Sequence, residues 1–139
     1  MSAVIASPRE TAAAIGETGG ATYVDVRTVE EFVGGRPVGR VVNVPLEFYH
    51  PTTAAVHDNA AFELVCQHAL DAGGAVIVGG DDGSRAGRAA ERLLAAGFSD
   101  VRVMALGLSA WVAEGLAITK DNRDGVSYVS LLTPARRAK

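Results

Sequence analysis

The strongest constraint on the fold is an apolar run that leads through glycines directly into a helix-forming segment. The run occupies residues 75–79, the glycine-rich turn follows, and residues 85–96 have the pattern of a helix with one apolar face. This order is typical of a buried parallel strand whose loop faces the N-terminus of the next helix. Backbone N–H groups in such a loop point inward and favour an anion or an anionic nucleophile.

The first position of that loop is where a nucleophile would stand, and it is Gly80. Because glycine has no side chain, the sequence predicts an anion-binding backbone without an attacking group. Asp81 and Asp82 follow, and each carboxylate opposes anion binding by about 1 kcal/mol at a solvated loop. Arg85, at the start of the helix, could hold an oxyanion through two hydrogen bonds. It could equally pair with Asp25, Asp81 or Asp82, and both alternatives stay open.

Short β-rich segments alternate with helical segments along most of the chain. Ser7 and Thr28 each begin a capping box, with Glu10 and Glu31 three residues later, so both predict helix starts. Strands are expected at residues 21–26, 41–44, 75–79 and 101–104, and further helices at residues 60–72 and 107–114. Residues 46–59 are the least regular and are expected to hold a helical turn and a loop.

The alternation of strands and helices indicates an α/β fold with a central, mostly parallel sheet flanked by helices. Ligands in such sheets bind at the carboxyl ends of the strands, where residues 80–85 would lie. The net charge of −3 provides no general attraction for nucleic acid or for an anionic membrane, so neither is an expected partner. No apolar run approaches the roughly 20 residues that a membrane-spanning helix needs, and no secretory signal is visible.

Cys66 is the only cysteine, so no disulfide framework is expected and a cytoplasmic location is the default. It lies on the apolar face of the predicted helix at residues 60–72 and is expected to be a small buried hydrophobe, not a substitute nucleophile. One cysteine and three scattered histidines predict no metal site. The glycine spacing matches neither dinucleotide-binding nor P-loop patterns, and no cofactor is expected.

Asp81 offers another possible nucleophile, because carboxylates form covalent intermediates in some enzymes. The supporting groups of such sites are not found in the sequence. The pair Asp82-Gly83 favours a solvated turn instead. A hydrolase or phosphatase-like activity therefore lacks an identifiable nucleophile.

Four segments of the chain resemble the single-domain rhodanese family, which is thiosulfate sulfurtransferase-like. Residues 23–32 are similar to the family's Asp-Val-Arg-x-x-x-Glu-Phe opening, and residues 76–86 to its Cys-x-x-Gly-x-Arg-Ser loop. Residues 35–45 and 95–111 resemble two further family segments. Besides position 80, three positions depart from the pattern: Arg36 stands where histidine is usual, Ala86 where serine is usual, and Leu106 where glycine is usual.

The resemblance implies a rhodanese-like, three-layer domain over residues 1–119, followed by a polar and basic tail at residues 120–139. We expect that tail to be partly disordered or packed as an accessory segment. Members of the family transfer sulfane sulfur through a cysteine persulfide on the active-site loop. In this chain the cysteine position falls on Gly80, whereas Gly83 and Arg85 match the loop pattern and Ser84 lies between them.

Asp25 and Arg27 follow a predicted buried strand and are expected to support the pocket. They would either line its mouth or pair to hold the loop, with Asp25 accepting from Arg85 or from backbone amides. The preferred hypothesis is a non-catalytic binding or regulatory module that uses the loop at residues 80–85 for a partner protein or a small oxyanion or sulfur compound. The alternative is a sulfurtransferase whose cysteine at position 80 has been lost or replaced.

Overall fold

The computed structural model describes residues 4–49, 52–53, 55–80, 84–104, 106–123 and 125–138. Its strands are short, as is usual for a small α/β protein. In chain order they are β1 (Val4–Ala6), β2 (Thr22–Asp25), β3 (Arg36–Pro37), β4 (Val41–Asn43), β5 (Glu47–Tyr49), β6 (Val56–Asp58), β7 (Ala75–Gly79), β8 (Asp100–Met104) and β9 (Ile118–Thr119).

Five of these strands form the central sheet, in the order β1-β8-β7-β2-β4. All of its neighbouring strands run parallel, and in the middle of the sheet Val24 of β2 lies beside Val42 of β4 and Val78 of β7. The predicted α/β fold with a central parallel sheet is therefore confirmed. Because parallel strands need crossover connections, helices cover both faces of this sheet.

Helices alternate with most of the strands, and the first two begin where the capping boxes predict. The helices are α1 (Pro8–Ile15), α2 (Val29–Val33), α3 (Phe62–Ala69), α4 (Ser84–Ala95), α5 (Gly107–Ala113) and α6 (Tyr128–Ala138). Both predicted capping boxes are confirmed, since the Ser7 and Thr28 hydroxyls accept from the amides of Glu10 and Glu31. None of the helices in these described segments has the length and apolar character that a bilayer crossing requires.

The core lies in two layers, one on each face of the sheet. Alternation along β7 produces this division: Val76 and Val78 pack on one side, and Ile77 packs on the other. The first layer includes buried residues of α3, α4 and α6, and the second includes Ile15 of α1 and Trp111 of α5. A parallel sheet buried on both faces explains why its strands read as continuous apolar runs.

The helical turn expected within residues 46–59 is wrong, because residues 47–49 and 56–58 form an antiparallel pair of strands. β5 pairs with β6, so that Glu47 lies opposite Asp58 and Tyr49 lies opposite Val56. The strands were not recognised because each has only three residues and both are largely exposed or half-buried. They are held by Phe48, whose ring lies 6.0 Å from that of Tyr128.

Helix α6 packs the end of the chain against the core, mainly along α3. Tyr128 and Ala135 are buried there, and Asn59 Nδ2 donates to the Tyr128 hydroxyl over 3.2 Å. The sequence analysis expects the tail to be either partly disordered or packed as an accessory segment. Residues 128–138 have the second arrangement, since they form a helix that packs against the core. A buried aromatic ring and a satisfied hydroxyl explain why a polar, basic stretch is ordered here.

Candidate functional site

The candidate site is the loop between β7 and α4, at the carboxyl edge of the central sheet. Two main-chain hydrogen bonds hold the end of β7: the amide of Val26 donates to Gly79 O over 3.0 Å, and the amide of Leu108 donates to Gly80 O over 3.1 Å. Residue 80 is thereby joined to the start of α5. Asp81, Asp82 and Gly83, which the sequence analysis places in this site, lie outside the described residues, and Ser84 is exposed at the start of α4.

Gly80 has room for a side chain. A Cβ atom added there would lie 3.6 Å from Val26 Cγ2 and 4.0 Å from the amide nitrogen of Ala86, both ordinary contact distances. The φ angle of Gly80 is not in the positive range, so its backbone conformation does not require glycine. The preceding residue, Gly79, has no room for a side chain, because a Cβ added there would lie 1.7 Å from the hydroxyl oxygen of the buried Tyr23.

Arg85 is buried and pairs with Glu31 of α2. Nη1 and Nη2 of the guanidinium donate to the two carboxylate oxygens over 2.9 and 3.0 Å. The guanidinium also lies 5.9 Å from the ring centroid of Tyr49. A bidentate ion pair of this kind is strong and directional. Glu31, a residue that the sequence analysis did not place in the site, thus supplies a carboxylate to Arg85. The alternative pairing with Asp81 or Asp82 involves residues outside the described ranges.

Glu31 was missed because its sequence signal has a local explanation. It is the third residue of α2, and its Oε1 accepts from both the amide and the hydroxyl of Thr28, as a capping box requires. Its second partner, Arg85, is 54 residues away in sequence. The sequence contains one signal for this residue, because Glu31 precedes Phe32 in the segment that resembles the family's opening. Since Phe32 is buried, the neighbouring Glu31 lies next to the core.

Asp25 and Arg27 form a second buried ion pair at the same edge of the sheet. Arg27 Nη2 donates to Asp25 Oδ2 over 2.7 Å, and the Arg27 amide donates to Asp25 Oδ1 over 3.0 Å. Burial raises the pKa of the Asp25 carboxyl, and the hydrogen bonds from Arg27 oppose that shift. Nη2 also donates to Gly35 O over 2.7 Å. The two residues thus pair with each other, and Asp25 does not accept from Arg85.

The remaining arginines on this side of α4 are also paired with carboxylates. Arg88 bridges to Glu47 of β5 over 3.1 Å, and Arg92 bridges to Glu63 of α3 over 2.6 Å. The hydrogen bonds from Arg92 lower the pKa of Glu63. Helix α4 is thus fastened to α2, β5 and α3 by three arginines in succession, and its positive charge is largely balanced within the molecule.

Cys66 is fully buried on α3, among the residues of the first core layer. Burial raises the pKa of the thiol, which disfavours the thiolate needed for nucleophilic attack. The prediction that Cys66 is a buried hydrophobe is confirmed. No cluster of three or more His, Cys, Asp or Glu side chains suited to a metal ion occurs in the part of the chain that the structure describes.

Two apolar side chains remain exposed around the loop. Tyr49, beside Arg85, is 47% exposed, and Leu106, two residues before the amide that binds Gly80, is 71% exposed. Leu106 also has φ of 65°, a left-handed conformation that is costly for a branched side chain.

Curated relatives of this chain include two from Arabidopsis thaliana. Thiosulfate sulfurtransferase 16, chloroplastic, is 38% identical over 98 residues, which cover 70% of this chain and 78% of the relative. Thiosulfate sulfurtransferase 18 is 30% identical over 106 residues, which cover 76% of each protein. Both names include thiosulfate as the substrate, and that activity is the activity of those two proteins.

Among solved structures, the Alr3790 protein from Anabaena sp. superposes with a TM-score of 0.68 at 20% sequence identity, covering 93% of this chain and 98% of that one. This similarity concerns the fold. The family model for the rhodanese-like domain matches residues 7–114. The chain therefore belongs to the rhodanese-like domain family, which is related to the sulfurtransferases.

Proposed function

We propose that this chain is a rhodanese-like domain without a covalent sulfur carrier, which acts as a non-catalytic binding or regulatory module. The observation that carries the proposal is Gly80, which directly follows β7 at the position where the family resemblance places a cysteine. In that chemistry a thiolate attacks the outer sulfur of thiosulfate, the S–S bond breaks, sulfite leaves and a persulfide remains. Hydrogen at Cα cannot take the place of the thiolate.

The surroundings of the loop support the same proposal. The nearest described cation, Arg85, is already neutralised by Glu31. Asp81 and Asp82 add two carboxylates to the loop sequence, and like charge opposes an anionic substrate. The single thiol of the chain, Cys66, is buried with its pKa raised. Among the residues that the structure describes at or near the loop, none is thus suited to activate and hold sulfur.

The partner in this proposal is a protein, or a small oxyanion or sulfur compound, that binds at residues 80–85. The exposed side chains of Tyr49 and Leu106 favour a partner protein, because aromatic and apolar side chains become buried in the core of a protein–protein contact, whereas a free anion is bound by polar donors. A cytoplasmic location belongs to the proposal as well. The cysteine count supports this location, because Cys66 is the single cysteine and no disulfide can form within the chain.

A second candidate function is supported by the space at residue 80. A Cβ there would make only ordinary contacts, and it would lie 4.0 Å from an amide nitrogen of α4. The backbone is thus suited to a cysteine whose thiolate would face helix amides. On this alternative the chain is a sulfurtransferase scaffold in which position 80 has been lost or replaced.

The test is cyanide-dependent release of thiocyanate from thiosulfate, measured for three proteins. They are the chain itself, Gly80→Cys and Gly73→Cys, the last of which places a thiol before β7, at the opposite end of the same strand. We expect no turnover by the chain itself or by Gly73→Cys, and weak turnover by Gly80→Cys because Asp81 and Asp82 remain. Turnover by the unmodified chain would overturn the non-catalytic proposal. A folded but inactive Gly80→Cys variant would remove the second candidate.

A titration separates a binding loop from a purely structural one. Sodium thiosulfate is added to the ¹⁵N-labelled chain, and the amide shifts of Gly80 and Ser84 are followed by NMR. Saturable shifts at these amides would support a loop that still binds small oxyanions. Shifts that appear only with a candidate partner protein would support protein binding, and neither response at any concentration would contradict a binding role for the loop.

A further inference from the structure

A pocket of about 400 Å³ lies between β3 and the segment after β9. It shares no lining residue with the loop at residues 80–85. It is lined by Arg36, Val38, Gly39, Thr119, Asp121, Arg123 and Val126. Two arginines and one aspartate give this lining a formal charge of +1. The pocket is therefore both positively charged and large enough for a small organic molecule.

Arg36 is the buried charge of this pocket. It is only 5% exposed, yet its hydrogen bonds go to main-chain oxygens: Nε donates to Asp121 O over 3.2 Å, and Nη1 donates to Pro37 O over 2.9 Å. Within the described ranges, no carboxylate oxygen lies within ion-pair distance of it. Its guanidinium lies 5.8 Å from the ring centroid of Phe32, which provides a weak cation–π contact only.

The other buried arginines of the molecule contrast with Arg36. Arg27 and Arg85 each have a carboxylate partner, Asp25 and Glu31 respectively. A buried cation without a counterion is unfavourable, because main-chain dipoles replace only part of its lost hydration. In agreement, burial lowers the pKa of the Arg36 guanidinium, and the charge of Asp121 only partly offsets that effect.

The nearest carboxylate of the pocket is already engaged. Asp121 Oδ2 accepts from Nε of Arg123 over 2.7 Å, and Arg123 is otherwise largely exposed at the pocket. Thr119 accepts from the amide of Asp121 over 3.1 Å, so its hydroxyl proton remains available to a ligand. The pocket thus presents donors from Arg36, Thr119 and Arg123. Val38 and Val126 contribute its apolar surface.

We propose that this pocket is a binding site for a small organic oxyanion, whose anionic group pairs with Arg36 and whose apolar part contacts Val38 and Val126. The guanidinium of Arg36 keeps its second terminal nitrogen, Nη2, for this anion. Arginine suits the role because its planar donors match the geometry of carboxylate and phosphate oxygens. Arg123 stands at the exposed edge of the site and adds attraction for an approaching anion.

The experiment is an NMR titration of the full chain with benzoate and, separately, phenyl phosphate at low salt. The resonance of the Arg36 side-chain Nε–H and the amides of Val38 and Thr119 are followed. We expect saturable shifts at these groups, with affinity weakened about tenfold by Arg36→Lys, which keeps the charge but loses the planar donors. The two probes distinguish a carboxylate ligand from a phosphate ester.

Two further variants keep the proposal falsifiable if Arg36→Lys fails to fold. Arg123→Gln changes an exposed residue and is expected to weaken binding about threefold, whereas Arg9→Gln removes the same charge from an exposed residue that does not line the pocket and should leave affinity unchanged. Equal effects of these two variants would mean general charge attraction and would overturn the proposal. So would shifts confined to Gly80 and Ser84, or shifts that never saturate.

Discussion

The guanidinium of Arg85 and the carboxylate of Glu31 form a bidentate ion pair, with N–O distances of 2.9 and 3.0 Å. This pair joins the first turn of α4 to the first turn of α2, directly beside the loop that ends β7. It has two consequences. It positions α4 against the sheet, and it neutralises a cation that would otherwise attract an anion to the loop.

Glu31→Gln should destabilise the protein by about 2 kcal/mol, because Arg85 is buried and would lose its charged partner while Glu31 is partly exposed. The free energy of unfolding, measured by urea denaturation, checks this. Glu30→Gln is the matched control, since Glu30 is the exposed neighbour on the same helix turn and its substitution should be nearly neutral. Equal effects of the two variants would contradict the assigned role of the pair.

Alanine substitutions at the two adjacent glycines should differ sharply. Gly79→Ala would place a methyl group within 1.7 Å of the Tyr23 hydroxyl oxygen and should cost about 3 kcal/mol, because Tyr23 is buried and cannot move freely. Gly80→Ala makes only ordinary contacts and should change stability by less than about 1 kcal/mol. Thermal and urea unfolding of both variants measure the difference. A more destabilised Gly80→Ala would show that residue 80 cannot hold any side chain.

The ion pair between Glu63 and Arg92 should make stability depend on pH on the acid side. Hydrogen bonds from Arg92 lower the folded-state pKa of Glu63 below the ordinary value of 4.5. A carboxyl with a depressed pKa stabilises the fold above its unfolded pKa, and this contribution is lost as pH falls through the folded pKa. Between about pH 6 and pH 3, the melting temperature of Glu63→Gln should therefore fall less than that of the parent chain.

Glu17→Gln is the control for that pH profile, because Glu17 is exposed in the turn after α1. Its profile should follow the parent chain. If Glu63→Gln lost as much stability in acid as the parent, the ion pair with Arg92 would not contribute to acid sensitivity.

The last helix should be part of the folded core. Tyr128→Ala removes a buried ring and its hydrogen bond with Asn59, and should cost about 3 kcal/mol. Val129→Ala, one residue on, changes a side chain that is 69% exposed and should have little effect. Urea denaturation of the two variants measures the contrast. Similar stabilities would mean that α6 is only loosely attached.

Local patterns allowed much of the fold to be predicted. The apolar run of β7, its glycine-rich turn and the start of α4 are adjacent in sequence, so their order could be read directly. The capping boxes at Ser7 and Thr28 are also local, since each needs only four consecutive residues. These features determine the alternation of strands and helices and thereby the α/β class.

Long-range partners could not be predicted in the same way. Glu31 and Arg85 meet because β2 and β7 are neighbours in the sheet, although 54 residues separate the two side chains. The pairing of β5 with β6 was not predicted because each strand has only three residues, which is too short to give a periodic signal. The role of Gly80 at the position of a lost nucleophile remains a prediction of the sequence, and the most direct experiment concerns it.

Intact-protein mass spectrometry after incubation with thiosulfate tests the central claim most directly. The unmodified chain should show no added mass, because Gly80 offers no thiol and Cys66 is buried. The double variant Gly80→Cys with Cys66→Ala should gain about 32 Da, one sulfur atom, on residue 80. An addition of that size on the unmodified chain would contradict the account, because it would show that sulfur is carried covalently without a cysteine at position 80.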